Sequence, residues 1–226
     1  PINKYDSTCS AEDDAAGVCF GGVARLKTLL DARRDALAAE GAPVLTLDAG
    51  DQFQGSLFYT TYKGEAAAEF MNAIGFDAMA VGNHEFDDGP GALARFIDTV
   101  EVPVLSANTE IAAGTELSGK VPGTMIVERG GERIGIVSVV AEDTAETSSP
   151  GPTVIFAAAA ETVRAAVAAF EAEGVTKVIA LTHIGLPADI ALAEAVSGID
   201  LIVGGHSHTL LANAHDGALA PYPVMV

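Results

Sequence analysis

The stretch "GNHEFD", residues 82–87, sets an amide (Asn83), an imidazole (His84) and two carboxylates directly after the apolar run "DAMAV". Other apolar runs end in the same way. "PVLTL" (43–47) leads into "DAGDQFQG", with Asp48 and Asp51; "VPVLSAN" ends at Asn108; "TKVIALTH" ends in His183; "IDLIVGGHSH" ends in His206 and His208. Four of the five histidines stand at such places, and only His215 does not. Singly, each has a plainer reading. Asp51 can cap a turn after Gly, Asn83 can be a turn residue, and His183 can be a satisfied core histidine. His206 and His208 can be a surface pair. Together, carboxylate, amide and imidazoles meeting at one sheet edge make an N/O ligand set for a divalent transition metal. A carboxylate can bridge two ions, and a pair about 3.5–4 Å apart clamps the oxygens of an in-line phosphoryl displacement and makes hydroxide at neutral pH. His84 directly follows Asn83, so it suits a role as donor or acid near the leaving oxygen, with Asp87 orienting its ring.

The elements that must position these groups can be read from periodicity. Val23, Leu26, Leu30 and Leu37 recur at helical spacing before Gly41, and Ala67, Phe70, Met71 and Ile74 share a face over 64–74. "GPGALARFIDTV" has Pro90 near a helix start. Residues 157–173 form an alanine-rich helix with Val163, Val167 and Phe170 inward, and another helix spans about 187–196. Strands are expected at 43–47, 77–81 and 103–106, and at 177–181 and 199–203. "TMIVERGGERIGIVSVV" reads as a hairpin through Gly130-Gly131. Residues 1–20 read as polar and loop-like. Strands that are apolar throughout, alternating with amphipathic helices, indicate an α/β core with sheets covered on both faces; the hairpin makes the sheet system mixed. In such folds functional groups gather beyond the carboxyl ends of the strands.

Composition narrows the partners. The 226 residues are 49% hydrophobic, enough for a sizeable core, and 12 basic against 31 acidic residues give a net charge of −19. That balance argues against nucleic acid polymers and anionic membrane surfaces, which need a basic face. A phosphate-bearing substrate would need a local cation, most simply a bound metal. No apolar run reaches the roughly 18 residues of a membrane span. Cys9 and Cys19 lie close together in a polar stretch; this favours a small disulfide over two free thiols, and an oxidising compartment with it.

The motifs "GDQFQG", "GNHEFD", "THIG" and "GGHSH", in this order and spacing, resemble those of the calcineurin-like metallophosphoesterases, and more closely the 5′-nucleotidase family with its periplasmic UDP-sugar hydrolases. "CFGGVARL" and "LSANT" extend the resemblance over about 9–208. It implies a four-layer αββα sandwich with two facing mixed sheets and a site for two divalent ions (Zn, Mn or similar). It makes Asp51 the bridging ligand, Asn83, His183 and His206 the rest of one metal site, and His208 a ligand of the other. His84 and Asp87 become the catalytic dyad, and Asn108 a candidate substrate contact. The implied activity is phosphate release from nucleoside 5′-monophosphates by a periplasmic or extracellular enzyme. Family members begin with a strand ending in Asp-x-His and carry a C-terminal substrate-binding domain, and neither pattern is found in residues 1–226. The chain is therefore expected to be a catalytic domain trimmed at both ends, to bind one ion better than two, and to turn over weakly. Alternatives are a sibling hydrolase of UDP-sugars, 2′,3′-cyclic nucleotides or a sulfur-bearing conjugate, and a non-catalytic metal-binding or scaffold domain.

Overall fold

The computed structural model describes residues 2–3, 9–214 and 217–226, so His215 lies outside the described residues. The chain divides into two compact units, Pro1–Val44 and Leu45–Val226.

In the first unit, β1 (Ile2–Asn3) pairs antiparallel with β2 (Cys19–Phe20). Between them lies α1 (Ala11–Ala15), and after them α2 (Val23–Ala39). The loop-like reading of 1–20 is corrected among the described residues, which include β1, α1 and β2. Ser10 Oγ accepts the Asp13 N–H (3.1 Å) while Asp13 Oδ2 accepts the Ser10 N–H (3.0 Å). This reciprocal cap satisfies two donors that a five-residue helix would otherwise leave open. Cys9 and Cys19 are joined in a disulfide that closes the loop around α1.

The second unit contains β3 (Leu47–Asp48), α3 (Leu57–Tyr62), α4 (Gly64–Ile74), β4 (Ala78–Ala80), α5 (Pro90–Thr99), β5 (Val104–Leu105), β6 (Thr109–Ile111) and β7 (Thr124–Arg129). It continues with β8 (Glu132–Val140), α6 (Thr144–Thr147), β9 (Val154–Phe156), α7 (Ala159–Ala172), β10 (Lys177–His183), α8 (Leu186–Ala195) and β11 (Leu201–Gly204). One sheet is the parallel trio β3-β4-β5; the other runs β11-β10-β8-β7, parallel except for the β7–β8 hairpin; β6 and β9 form a separate antiparallel pair.

Side-chain alternation explains why these strands are apolar throughout. Ala78 and Ala80 face inward, where with Leu105 they meet Val127, Ile136 and Leu181 of the other sheet. Met79 and Val81 face outward onto Met71, Leu93 and Phe96 of α4 and α5. On the far side, Val137, Val139, Val178 and Ala180 pack on Val163, Val167, Phe170 and Leu192 of α7 and α8. Helix, sheet, sheet and helix thus stack as four αββα layers. Each fully buried Leu or Met in them contributes roughly 1.5–3 kcal/mol.

The expected strand at 43–47 is displaced. The ladder covers only Leu47–Asp48, because the Asp77 carboxylate takes the Thr46 N–H (2.7 Å) that a neighbouring strand would have paired. The consequence for function is directional. β3, β4, β5, β10 and β11 each pair in parallel within their sheets, and the candidate metal, dyad and Asn108 residues stand at or beyond their carboxyl ends.

Candidate metal centre and flanking dyad

The loop after β3 is built around two backbone constraints. Asp48 Oδ1 accepts the Gly50 N–H at 2.9 Å, so the chain turns back at once, and Oδ2 accepts the Gln52 side-chain amide (Nε2) at 2.8 Å. Burial raises the Asp48 carboxyl above the usual carboxylate range. Asp51 itself sits at φ +63°, a left-handed conformation uncommon outside glycine. His206 (φ +78°) and His208 (φ +51°) share this feature. Such strain persists only where surrounding structure imposes it, and it clusters at functional sites.

Asp51, His183 and His206 each offer one ligand atom, and these lie within 4.8 Å of one another. His183 is 2% exposed and ends β10. Its Nδ1 stands 2.6 Å from the Ala49 carbonyl, which can only accept; the proton is therefore on Nδ1, and the Nε2 lone pair is turned inward. Nε2 lies 3.0 Å from Asp51 Oδ2 but has no aligned hydrogen-bond partner among the described residues. A buried lone pair beside a carboxylate oxygen is costly unless a cation, proton or metal, lies between them. In the absence of a metal, burial pulls the His183 pKa down, but the Asp51 carboxylate outweighs it and the net direction is up. For Asp51, burial acts upward and is outweighed by His183 and the His84 N–H, so its carboxyl moves down.

His206 Nδ1 is 2.9 Å from the Asn83 Oδ1, and the His206 and His183 rings meet edge-on at 5.1 Å. Bonds of about 2.1 Å set neighbouring ligand atoms roughly 3.0–3.4 Å apart, so contacts near 3 Å between would-be ligands fit one coordination shell. The donor set of carboxylate, amide oxygen and two imidazoles suits zinc or manganese chemistry. Glycine is required where this shell is tightest. A Cβ on Gly205 would stand 2.9 Å from the Ala49 oxygen and 3.0 Å from His183 Nδ1, severing the contact that orients the ring.

Beside this cluster, a 3-10 turn over His84–Phe86 carries the dyad. His84 Nδ1 is 2.7 Å from Asp87 Oδ2, and the other Asp87 oxygen accepts the Ser148 hydroxyl at 2.7 Å. Burial is the largest single influence on His84 and pulls it down, but Asp87 and Asp51 together outweigh it and the net direction is up. With Nδ1 committed to Asp87 and the side chain 42% exposed, Nε2 is left facing solvent.

One sequence-derived expectation finds a different placement. Asn108 is fully buried, and its amide is used up. Nδ2 donates to the Val140 and Ala157 carbonyls, while Oδ1 accepts from the Val140 N–H and the Ser106 hydroxyl. It clamps β8 to the segment after β9 and has nothing left for a substrate. His208, expected to belong to a second ion and not to this one, is exposed and stands outside the three-residue cluster. Two residues were not foreseen, Ser148 and Glu85. Nothing in the sequence marks Ser148. Glu85 stands in the polar stretch "NHEFD", where nothing sets it apart from its neighbours. It is fully buried, and burial, followed by the nearby Asp51 charge, pushes it up to about 7.

The arrangement matches a known family across most of its length: a description of the calcineurin-like phosphoesterases fits residues 16–210. The chain belongs to the calcineurin-like phosphoesterases. This family uses divalent metal ions, in keeping with the ligand cluster. A 5′-nucleotidase from Diplobatis ommata is 42% identical over 235 residues, covering 99% of this chain and 40% of the relative. Among solved structures, a 5′-nucleotidase precursor from Thermus thermophilus aligns with TM-score 0.85 and 43% identity, over 91% of this phosphoesterase and 40% of that chain. The NAD nucleotidase of Haemophilus influenzae aligns with TM-score 0.85 and 33% identity, over 90% and 41%. This phosphoesterase chain thus spans about 40% of the length of the relatives it matches. Among the described residues no helix is long and apolar enough to cross a membrane.

Proposed function

We propose that the protein hydrolyses nucleoside 5′-monophosphates to nucleoside and phosphate. The observation that carries this reading is the convergence of Asp51, His183 and His206 within 4.8 Å, beside a hydrogen-bonded His84–Asp87 pair. Asp51, Asn83, His183 and His206 would hold one divalent ion, zinc or manganese. A bound ion supplies a Lewis acid for the phosphoryl oxygens and hydroxide at neutral pH. His84 turns Nε2 toward the reacting phosphoryl group, as donor to the oxygens that gain charge or as acid to the leaving oxygen. Asp87 accepts the Nδ1 proton and so fixes the tautomer, and Ser148 holds Asp87 in place. With a chain charge of −19, the ion also provides the positive charge that a phosphate needs.

A second ion would share Asp51 with His208. With only Asp51 and the exposed His208 to hold it, this position is the weaker one, and the chain on its own turns over slowly. The Cys9–Cys19 disulfide favours a periplasmic or extracellular setting. The likeness to a NAD nucleotidase favours a second reading, in which a larger nucleotide conjugate is the substrate. Release of hydrolysis products (nucleoside and phosphate from AMP, mononucleotides from the others), read by chromatography after incubation with AMP, UDP-glucose, NAD or 2′,3′-cyclic AMP with manganese or zinc and again with EDTA, separates these. The first reading expects AMP to be preferred and EDTA to stop the reaction. Metal binding with no release from any substrate would leave a scaffold domain.

A further inference from the structure

The Glu85 carboxylate is enclosed by backbone. Its Oε1 accepts the N–H groups of Gln52 (2.7 Å) and Phe53 (3.1 Å), and its Oε2 those of Asp51 (2.9 Å) and Gly82 (2.7 Å). Two carboxylate oxygens have about four lone-pair sites. All four are filled, and by two different loops, one carrying Asp51 and the other leading to Asn83. Converging backbone N–H groups of this kind make an anion-binding concavity that elsewhere takes a phosphate; here the protein fills it with its own side chain.

The loops meet with no room to spare. A Cβ on Gly50 would lie 2.7 Å from the Gly82 nitrogen, and one on Gly82 would lie 2.6 Å from the Asp51 nitrogen. Backbone packed this closely has unpaired donors on both sides unless an acceptor stands between them. Asp51 meanwhile holds a φ of +63°, a left-handed conformation uncommon outside glycine. Its Oδ1 is further pinned by the His84 N–H at 3.0 Å.

We infer that Glu85 is the positioning residue of the metal centre, a buried clasp that ties the Asp51 loop to the Gly82–Asn83 loop so that both ligands face one point before any ion arrives. This rests on the metal-site reading given above. Glu85 touches neither substrate nor ion and acts through Asp51 and Asn83. Groups that orient ligands from behind change metal affinity by about 10–100-fold when mutated.

Glu85→Gln is nearly isosteric and tests this sharply. However the amide turns, one oxygen becomes an NH2 group, so two backbone donors lose their acceptor and face donors instead. The assay is zinc titration by calorimetry on wild-type chain and E85Q, with circular dichroism as the check on folding. The expected result is a folded E85Q that binds zinc about 10–100-fold more weakly, with Glu85→Asp, one methylene short, also weakened. Equal zinc affinity in wild type and folded E85Q overturns the inference; wild type that binds no zinc overturns the metal-site reading instead. Should E85Q not fold, amide hydrogen exchange on the wild type decides. Protection of Asp51, Gln52, Phe53 and Gly82 that is already present in EDTA supports the clasp, whereas protection that appears only with zinc shows that the ion orders the loops.

Discussion

Asp189 offers a prediction whose magnitude follows from its surroundings. It lies on α8, 8% exposed, and its Oδ1 accepts the Thr182 hydroxyl at 2.6 Å, one residue before His183. Burial pushes its carboxyl up to about 6, partly opposed by Thr182 and His183, against 3.8 when unfolded. A carboxyl with a raised folded pKa keeps its proton longer in the folded chain. It is therefore without cost below pH 3.8, becomes destabilising as pH rises toward 6, and exerts its full cost above that. At about 1.36 kcal/mol per pH unit, the ceiling is about 3 kcal/mol. Asp189→Asn keeps an oxygen for the Thr182 hydroxyl and removes the charge. Denaturant unfolding of both proteins should be followed from pH 4 to 8 in EDTA, which removes metal linkage. The Asn variant should gain about 2–3 kcal/mol on wild type between the two ends of that range, most of it between pH 4 and 6. A difference between the two proteins that does not vary with pH would show that Asp189 is not held in a proton-retaining environment.

Other predictions concern the dyad and the first unit. Asp87→Asn removes the acceptor that holds the His84 proton, so AMP hydrolysis should fall by about 10²–10³-fold with zinc content unchanged; loss of zinc together with activity would instead make Asp87 part of the metal centre. Reducing the Cys9–Cys19 bond releases a loop of sequence separation 10, which should cost the first unit up to about 3 kcal/mol. Thermal unfolding with and without reductant, finding no change, would mean that the reduced chain keeps the same restraint.

Much of this was legible in the sequence, for physical reasons that differ by element. Helices α4, α5 and α7 announce themselves because one face must reach the sheet: Met71 and Ile74 in α4, Leu93 and Phe96 in α5, and Val163, Val167 and Phe170 in α7 recur at helical spacing. β4 and β10 stand out because both faces are covered, which leaves uninterrupted apolar runs. The ligands follow from position, since every parallel strand delivers its next loop to the same edge. The β6–β9 pair was not legible, because it joins residues 109–111 to 154–156, and three-residue strands carry no period. Nor was α3, whose "LFYTTY" is rich in aromatic and β-branched residues that favour strands. Asn108 shows the limit of arguing from strand ends. Its position is right for a site residue, but its hydrogen bonds are spent on Val140, Ala157 and Ser106. Glu85 shows the converse, because its role depends on four backbone N–H groups that only the folded loops bring together.

The central claim is that residues at or just beyond the carboxyl ends of four separate strands surround one divalent ion. The most direct measurement is an anomalous-difference map at the zinc edge from crystals of this chain grown with zinc. The account predicts one strong peak bonded at about 2.0–2.2 Å to Asp51, Asn83, His183 and His206. A peak placed on other residues, or none at a zinc concentration that saturates binding in solution, would contradict it.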